Sequence, residues 1–177
     1  MFKDSGDNVF LFIQTLGLLA FLCTTVSYWG KSKKQILAVQ IIGDIFYAIH
    51  YFLLGAIAGG LTQVLGLFRE TSFFCSKTKK QEKIIFICLV PIYLFIGCIT
   101  STTIIEIFPI LASITYCYTL TMAANYVVLG GLIDAIYWLF YDILCGSYSG
   151  AFADIIVIVS NILSLIHRKK KENYSRK

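Results

Sequence analysis

Of 177 residues, 58% are hydrophobic and only 14% are charged, where an average soluble domain carries about 25% charged residues. So much apolar sequence excludes a soluble globular domain and points to a membrane protein with several spans. The net charge of +5 comes from Lys and Arg grouped in short links and in the tail, a pattern that orients spans rather than one that binds nucleic acid.

The chain starts net acidic, with Lys3, Asp4 and Asp7 before the first apolar run. A cleavable signal opens with positive charge, so this run is expected to stay as a span. Seven apolar runs can be drawn: 9–28, 35–54, 56–74, 84–98, 104–120, 125–144 and 149–166. Most approach the length of about twenty residues that crosses a bilayer. The fourth is short and holds Pro91, and Pro109 predicts a bend in the fifth.

The links assign sides. Lys31, Lys33 and Lys34 follow the first run, Lys77, Lys79, Lys80 and Lys83 the third, and His167, Arg168, Lys169, Lys170 and Lys171 the seventh. The other links, except the short one after the fifth run, lie on the opposite side and hold no Lys or Arg. Positive charge stays cytoplasmic, which predicts an outside N-terminus and an inside C-terminus. The glycosylation-type triplet Asn173-Tyr174-Ser175 then lies where it is not used. The glycine-rich links 55–60 and 145–150 read as tight turns or hinges. Cys23, Cys75, Cys88, Cys98, Cys117 and Cys145 lack CxxC spacing and read as small apolar fillers.

A shift of 90 positions superposes the chain on itself. Asp44, Tyr47 and Tyr51 return as Asp134, Tyr137 and Tyr141, on one helical face each time. Thr25 and Tyr28 return as Thr115 and Tyr118, and Lys79, Lys80 and Glu82 as Lys169, Lys170 and Glu172. Three spans that start outside end inside, so a direct second copy needs one extra crossing between. The fold expected is all-α, with seven transmembrane helices. Two parallel three-helix repeats, 9–74 and 104–166, flank a linker helix within 84–103, and a basic cytoplasmic tail covers 167–177.

This three-plus-one-plus-three plan resembles the SWEET sugar transporters and the wider PQ-loop superfamily, and the bacterial nicotinamide riboside transporters use a similar three-helix repeat. The stretches LGLLAFLCTTVSYWGKSKKQ (16–35), HYFLLGAIAGG (50–60) and FRE (68–70) resemble the bacterial inner-membrane family YgjV. That resemblance implies an inner-membrane location and no particular substrate. Pro91 and Pro109 are each followed by Ile, so no Pro-Gln pair exists. SWEETs set an asparagine beside the sugar in spans three and seven; Asn161 fits the seventh, but Thr71 stands at the partner position.

Asp44 and Asp134 are the sharpest site candidates, because a carboxylate inside a span costs about 3 kcal/mol on insertion scales. Each would lie near mid-membrane and serve a proton or a polar substrate group. The structural alternative is that each bonds Thr25/Tyr28 or Thr115/Tyr118 of a neighbouring helix and locks the bundle. Tyr47, Tyr51, Tyr137, Tyr141 and Trp138 share or flank that face and suit a ring-bearing substrate, packing, or, for Tyr51 and Tyr141, an interfacial belt. Asp154 and Asn161, at i and i+7, are expected to line a shared cavity. Arg69, near the inner end of its span, reads as snorkelling to the headgroups. His50 has no second His nearby in the chain and reads as a buried residue rather than a metal ligand.

The functional expectation is a transporter of a small polar or ring-bearing solute (sugar, nucleoside or vitamin-like) by alternating access between the repeats. The alternative is a non-transporting sensor or assembly protein. An intramembrane aspartyl protease would need Tyr-Asp before Gly-x-Gly-Asp. Here Tyr141-Asp142 comes late and Asp44 follows Ile41-Ile42-Gly43, so no enzyme, cofactor or metal is expected. The partners expected are membrane lipid and the solute, without nucleic acid, and with homo-oligomerisation left open.

Overall fold

Two short sequences start helices at one end of the molecule. In Ser32-x-x-Gln35, the Gln35 amide donates to Ser32 Oγ (3.3 Å) and Gln35 Oε1 accepts the Lys31 amide (2.8 Å). In Thr78-x-x-Gln81, the Gln81 amide donates to Thr78 Oγ1 (3.2 Å) while Gln81 Oε1 accepts the Lys77 amide (2.8 Å). Each is a capping box, which satisfies amides that the first helical turn leaves free. The second box starts its helix at Lys79, five residues before the apolar run at 84.

The computed structural model describes residues 2–100, 104–145 and 148–175. The side chains of Lys3, Asp4, Asp7, Cys145, Glu172 and the triplet Asn173-Tyr174-Ser175 lie outside the described set, as do Gly146 and Ser147. The helices are α1 (Phe2–Ser27), α2 (Lys33–Leu53), α3 (Ile57–Cys75), α4 (Lys79–Thr100), α5 (Ile107–Thr119, after a 3-10 turn at Ile104–Glu106), α6 (Ala124–Cys145) and α7 (Tyr148–Ser175). Among the described residues there is no strand. Five helices are long and apolar enough to cross a membrane: α1, α2, α4, α6 and α7. The other two fall short for local reasons, since α3 carries Arg69 and Glu70 and α5 is brief.

Prolines act differently from one another. Pro91 sits inside α4, whereas Pro109 falls in the first turn of α5, where its missing N–H leaves no bond unmade. Pro109 therefore starts a helix instead of bending one.

In the first half α2 packs on both α1 and α3, and in the second α6 packs on both α5 and α7. The halves meet where α1 touches α7 and α3 touches α5, and α4 lies across α3 and α5 from outside. Side chains such as Phe10, Ile87, Phe95 and Phe152 face outward, covering the perimeter with the apolar groups that lipid requires.

The lysine-rich links gather at one end. Glu82 pairs with both Lys33 and Lys79. Lys33 Nζ also donates to the Leu120 carbonyl (2.9 Å) and Lys79 Nζ to the Thr121 carbonyl (3.0 Å). The uncharged link after α5 thus receives cations from two other links. Arg168 of α7 donates to the free carbonyls of Tyr28 (3.0 Å) and Gly30 (2.6 Å), capping the C-terminal end of α1. At the opposite end Gly55 turns the chain with φ +76, and a Cβ at Gly60 would meet the Phe52 ring at 2.7 Å. Glycine there serves as both turn and close helix contact.

Candidate functional site

On α2, Gln40, Asp44, Tyr47 and Tyr51 recur at helical spacing and face inward; on α6, Gly131, Asp134, Trp138 and Asp142 do the same. These two faces, with Thr24 of α1 and Tyr28 just after it, Arg69 and Glu70 of α3, Ser113 and Tyr116 of α5, and Asp154 of α7, line a cavity of about 60 Å³. That volume holds a few waters and is smaller than a monosaccharide. Every helix except α4 contributes to its wall.

The end nearer the lysines is built on Arg69. Its Nε donates to both Glu70 oxygens (3.2 Å each) and its Nη2 to Glu70 Oε1 (2.9 Å). Nη1 donates to Tyr93 Oη (3.2 Å) and the Ser113 carbonyl (3.3 Å). The guanidinium lies 4.8 Å from the Tyr116 ring centroid, a cation–π position. Tyr116 Oη in turn donates to Gln40 Oε1 (2.7 Å). Arg69 is 6% and Glu70 1% exposed, so the expectation that Arg69 reaches the headgroups is corrected. Tyr93, Ser113 and Glu70 give the guanidinium inward partners, and a fully bonded cation has no need to snorkel.

Asp44 sits beside this pair. Its Oδ2 is buried without a hydrogen-bond donor. A Cβ at Gly66 would stand 3.0 Å from Asp44 Oδ2, so glycine makes room for the carboxyl.

The other end is aromatic. Tyr47 stacks on Tyr51 (centroids 6.0 Å), Tyr51 on Trp138 (5.5 Å), and Trp138 meets Tyr141 edge-on (5.7 Å, 88°). Tyr51 and Tyr141 are buried, so the interfacial-belt reading of them is corrected: both pack against Trp138, Tyr51 from the other half and Tyr141 from the same helix. Trp138 also hydrogen-bonds Asp134.

The structure brings together Asp44, Asp134, Tyr47, Tyr51, Trp138 and Asp154 at the cavity wall, and leaves three candidates off it. Tyr137 packs against Phe108 (6.4 Å), Tyr141 lies behind Trp138, and Asn161, fully buried, lies two turns along α7 from Asp154. The α6 face is turned slightly from the α2 face, so Trp138 and Asp142 replace the repeat equivalents Tyr137 and Tyr141. Of the four partners named for a structural role of the aspartates, two do not serve it. Thr25 Oγ1 has no partner, and Tyr118 points outward beside Phe86 (5.7 Å). His50 is buried with Nδ1 2.8 Å from the Ile13 carbonyl.

Glu70, noted in the sequence beside Arg69 near the inner end of its span, and Asp142, noted only in the pair Tyr141-Asp142, were given no site role by the sequence. Glu70 adjoins Arg69, where adjacent residues on an ideal helix point apart, and Asp142 falls outside the 90-residue match. Asp142 does recur at i+8 from Asp134, a helical spacing that was legible.

A family model described as a bacterial inner membrane protein, Imp-YgjV, matches residues 11–172. Neither a curated protein nor a solved structure matches the chain. The family match covers nearly all of the sequence, including the stretches that form the capped α2, the glycine turn and the Arg69–Glu70 pair. The chain belongs to the YgjV family of bacterial inner membrane proteins.

Proposed function

We propose that this protein is a carrier, not an enzyme, that moves a small polar or ring-bearing solute across the inner membrane. Two three-helix repeats, 9–74 and 104–166, rock about a central site while the helix within 84–103 joins them. The observation that carries this reading is the polar cavity whose wall both halves supply, with Asp44 of α2 facing it from one side and Asp134 of α6 from the other. Buried carboxylates are expensive for a merely structural bundle, and in membranes they mark solute or proton paths. The pattern of contacts, α1 on α7 and α3 on α5, suits two equivalent halves.

Reconstituted vesicles test the reading. Asp44→Asn and Asp134→Asn keep shape and hydrogen bonding but cannot exchange a proton. Net uptake of the solute should fall toward background in both, while exchange of bound solute persists. Normal net uptake in both Asn variants, with misassembly confined to the Ala variants, would make the aspartates structural.

We further propose that the lysine-rich end faces the cytoplasm, following the positive-inside rule. In a cysteine-free background, a cysteine replacing Ile57 should react with an impermeant maleimide in intact cells. Cysteines replacing Lys34 or Lys77 should react only after permeabilisation. The reverse pattern turns the protein over.

A further inference from the structure

Acidic side chains outnumber basic ones around the cavity. Asp44, Glu70, Asp134, Asp142 and Asp154 face it, and among the described residues of its wall Arg69 is the only cation. Arg69 is committed to Glu70 at the lysine-ward end. At the aromatic end the charged groups acting on Asp154 are Asp142 and Asp134, both acidic. Asp134 takes the Trp138 indole hydrogen. Asp154 is 9% exposed, and its Oδ2 is buried without any hydrogen-bond donor. An orphaned carboxylate oxygen at this depth calls for a donor from outside the chain.

We propose that the aromatic end of the cavity binds the ammonium head of a small protonated primary amine. This deepens the transport reading above by naming the substrate class. One N–H of the ammonium supplies the donor that Asp154 Oδ2 lacks, and the acidic neighbours Asp142 and Asp134 add attraction for the positive charge. The faces of Tyr47, Tyr51 and Trp138, which line the same end, attract the charge electrostatically and seat an attached ring or chain. A few water-sized groups fill the present volume, so the head fits and the rest of the solute takes its place as the Tyr51–Trp138 stack parts. Among small polar or ring-bearing solutes, the orphaned Asp154 oxygen favours one that carries a single positive charge.

The experiment compares amines with neutral isosteres on purified full-length protein. Ethanolamine is set against ethylene glycol, and phenethylamine against 2-phenylethanol, by ligand-dependent thermal unfolding and calorimetry. Each amine should bind at least about tenfold more tightly than its alcohol, the factor that one ion pair and a desolvated cation–π contact supply. Asp154→Asn should erase that gap while Asp4→Asn leaves it. Equal affinity of amine and alcohol in the wild-type protein, no amine binding, or a gap that survives Asp154→Asn each overturns the proposal. The wild-type comparison decides even if Asp154→Asn does not fold. Amine binding without amine uptake into vesicles would remove the transport reading and keep the site. Uptake of the neutral alcohols without preference for the amines would do the reverse.

Discussion

Arg69→Gln should destabilise the protein by about 3–5 kcal/mol, the usual result of removing one partner from a buried ion pair. Glu70, at 1% exposure, would keep a buried charge with no cation beside it. Tyr93 Oη and the Ser113 carbonyl would also lose their donor, a smaller penalty of about 1 kcal/mol each. Glu70→Gln should be comparably harmful, because it strands the guanidinium. The double variant Arg69→Gln/Glu70→Gln should recover a large part of the loss, since two neutral amides can bond each other. Reversible unfolding in mild detergent measures all three, and the coupling follows from the cycle. If Arg69→Gln unfolds like wild type, cavity water solvates Glu70 and the pair does not hold α3 against α5.

The second large effect is expected at Gly131. A Cβ there would overlap the ring of Tyr28, which is 1% exposed and meets Tyr116 edge-on at 6.5 Å. Tyr28 directly follows α1 and Gly131 lies on α6, so the contact joins the two halves at the cavity wall. Gly131→Val should cost about 3 kcal/mol through overpacking. Tyr28→Ala should cost about 3–5 kcal/mol through the void it leaves. The double variant should be more stable than the sum of the two, because valine fills part of the space vacated by tyrosine. Additive losses would mean that the halves separate at this point without touching. A mild form, Gly131→Ala, should lower the melting temperature less and leave the capped ends of α2 and α4 unaffected.

Much of the architecture could be read before any fold was known. The membrane class follows from composition, and the inward faces of α2 and α6 follow from Asp44 and Asp134 at helical spacing with aromatics, because periodicity is a property of one helix at a time. Even the early start of α4 was written in Thr78-x-x-Gln81, since a capping box uses only neighbouring residues. Where Pro109 acts was less legible: its effect depends on whether the helix begins before it or at it, and the 3-10 turn at Ile104–Glu106 decides that.

What the sequence determined by itself is therefore the local part: an apolar helical chain of the YgjV family, its capped helix starts, its glycine turn and its intramembrane carboxyls. Tertiary structure alone decided which of those carboxyls meet. Arg69 turns inward because Glu70, Tyr93 and Ser113, on helices α3, α4 and α5, surround it. Tyr51 is covered because Trp138 arrives from the other half, and Asp154 Oδ2 is left without a donor where α7 packs beside α1 and α6. Each outcome depends on residues far apart in the chain. Their energies arise from desolvation and pairing across helices, and helical spacing within any one segment carries no record of its neighbours.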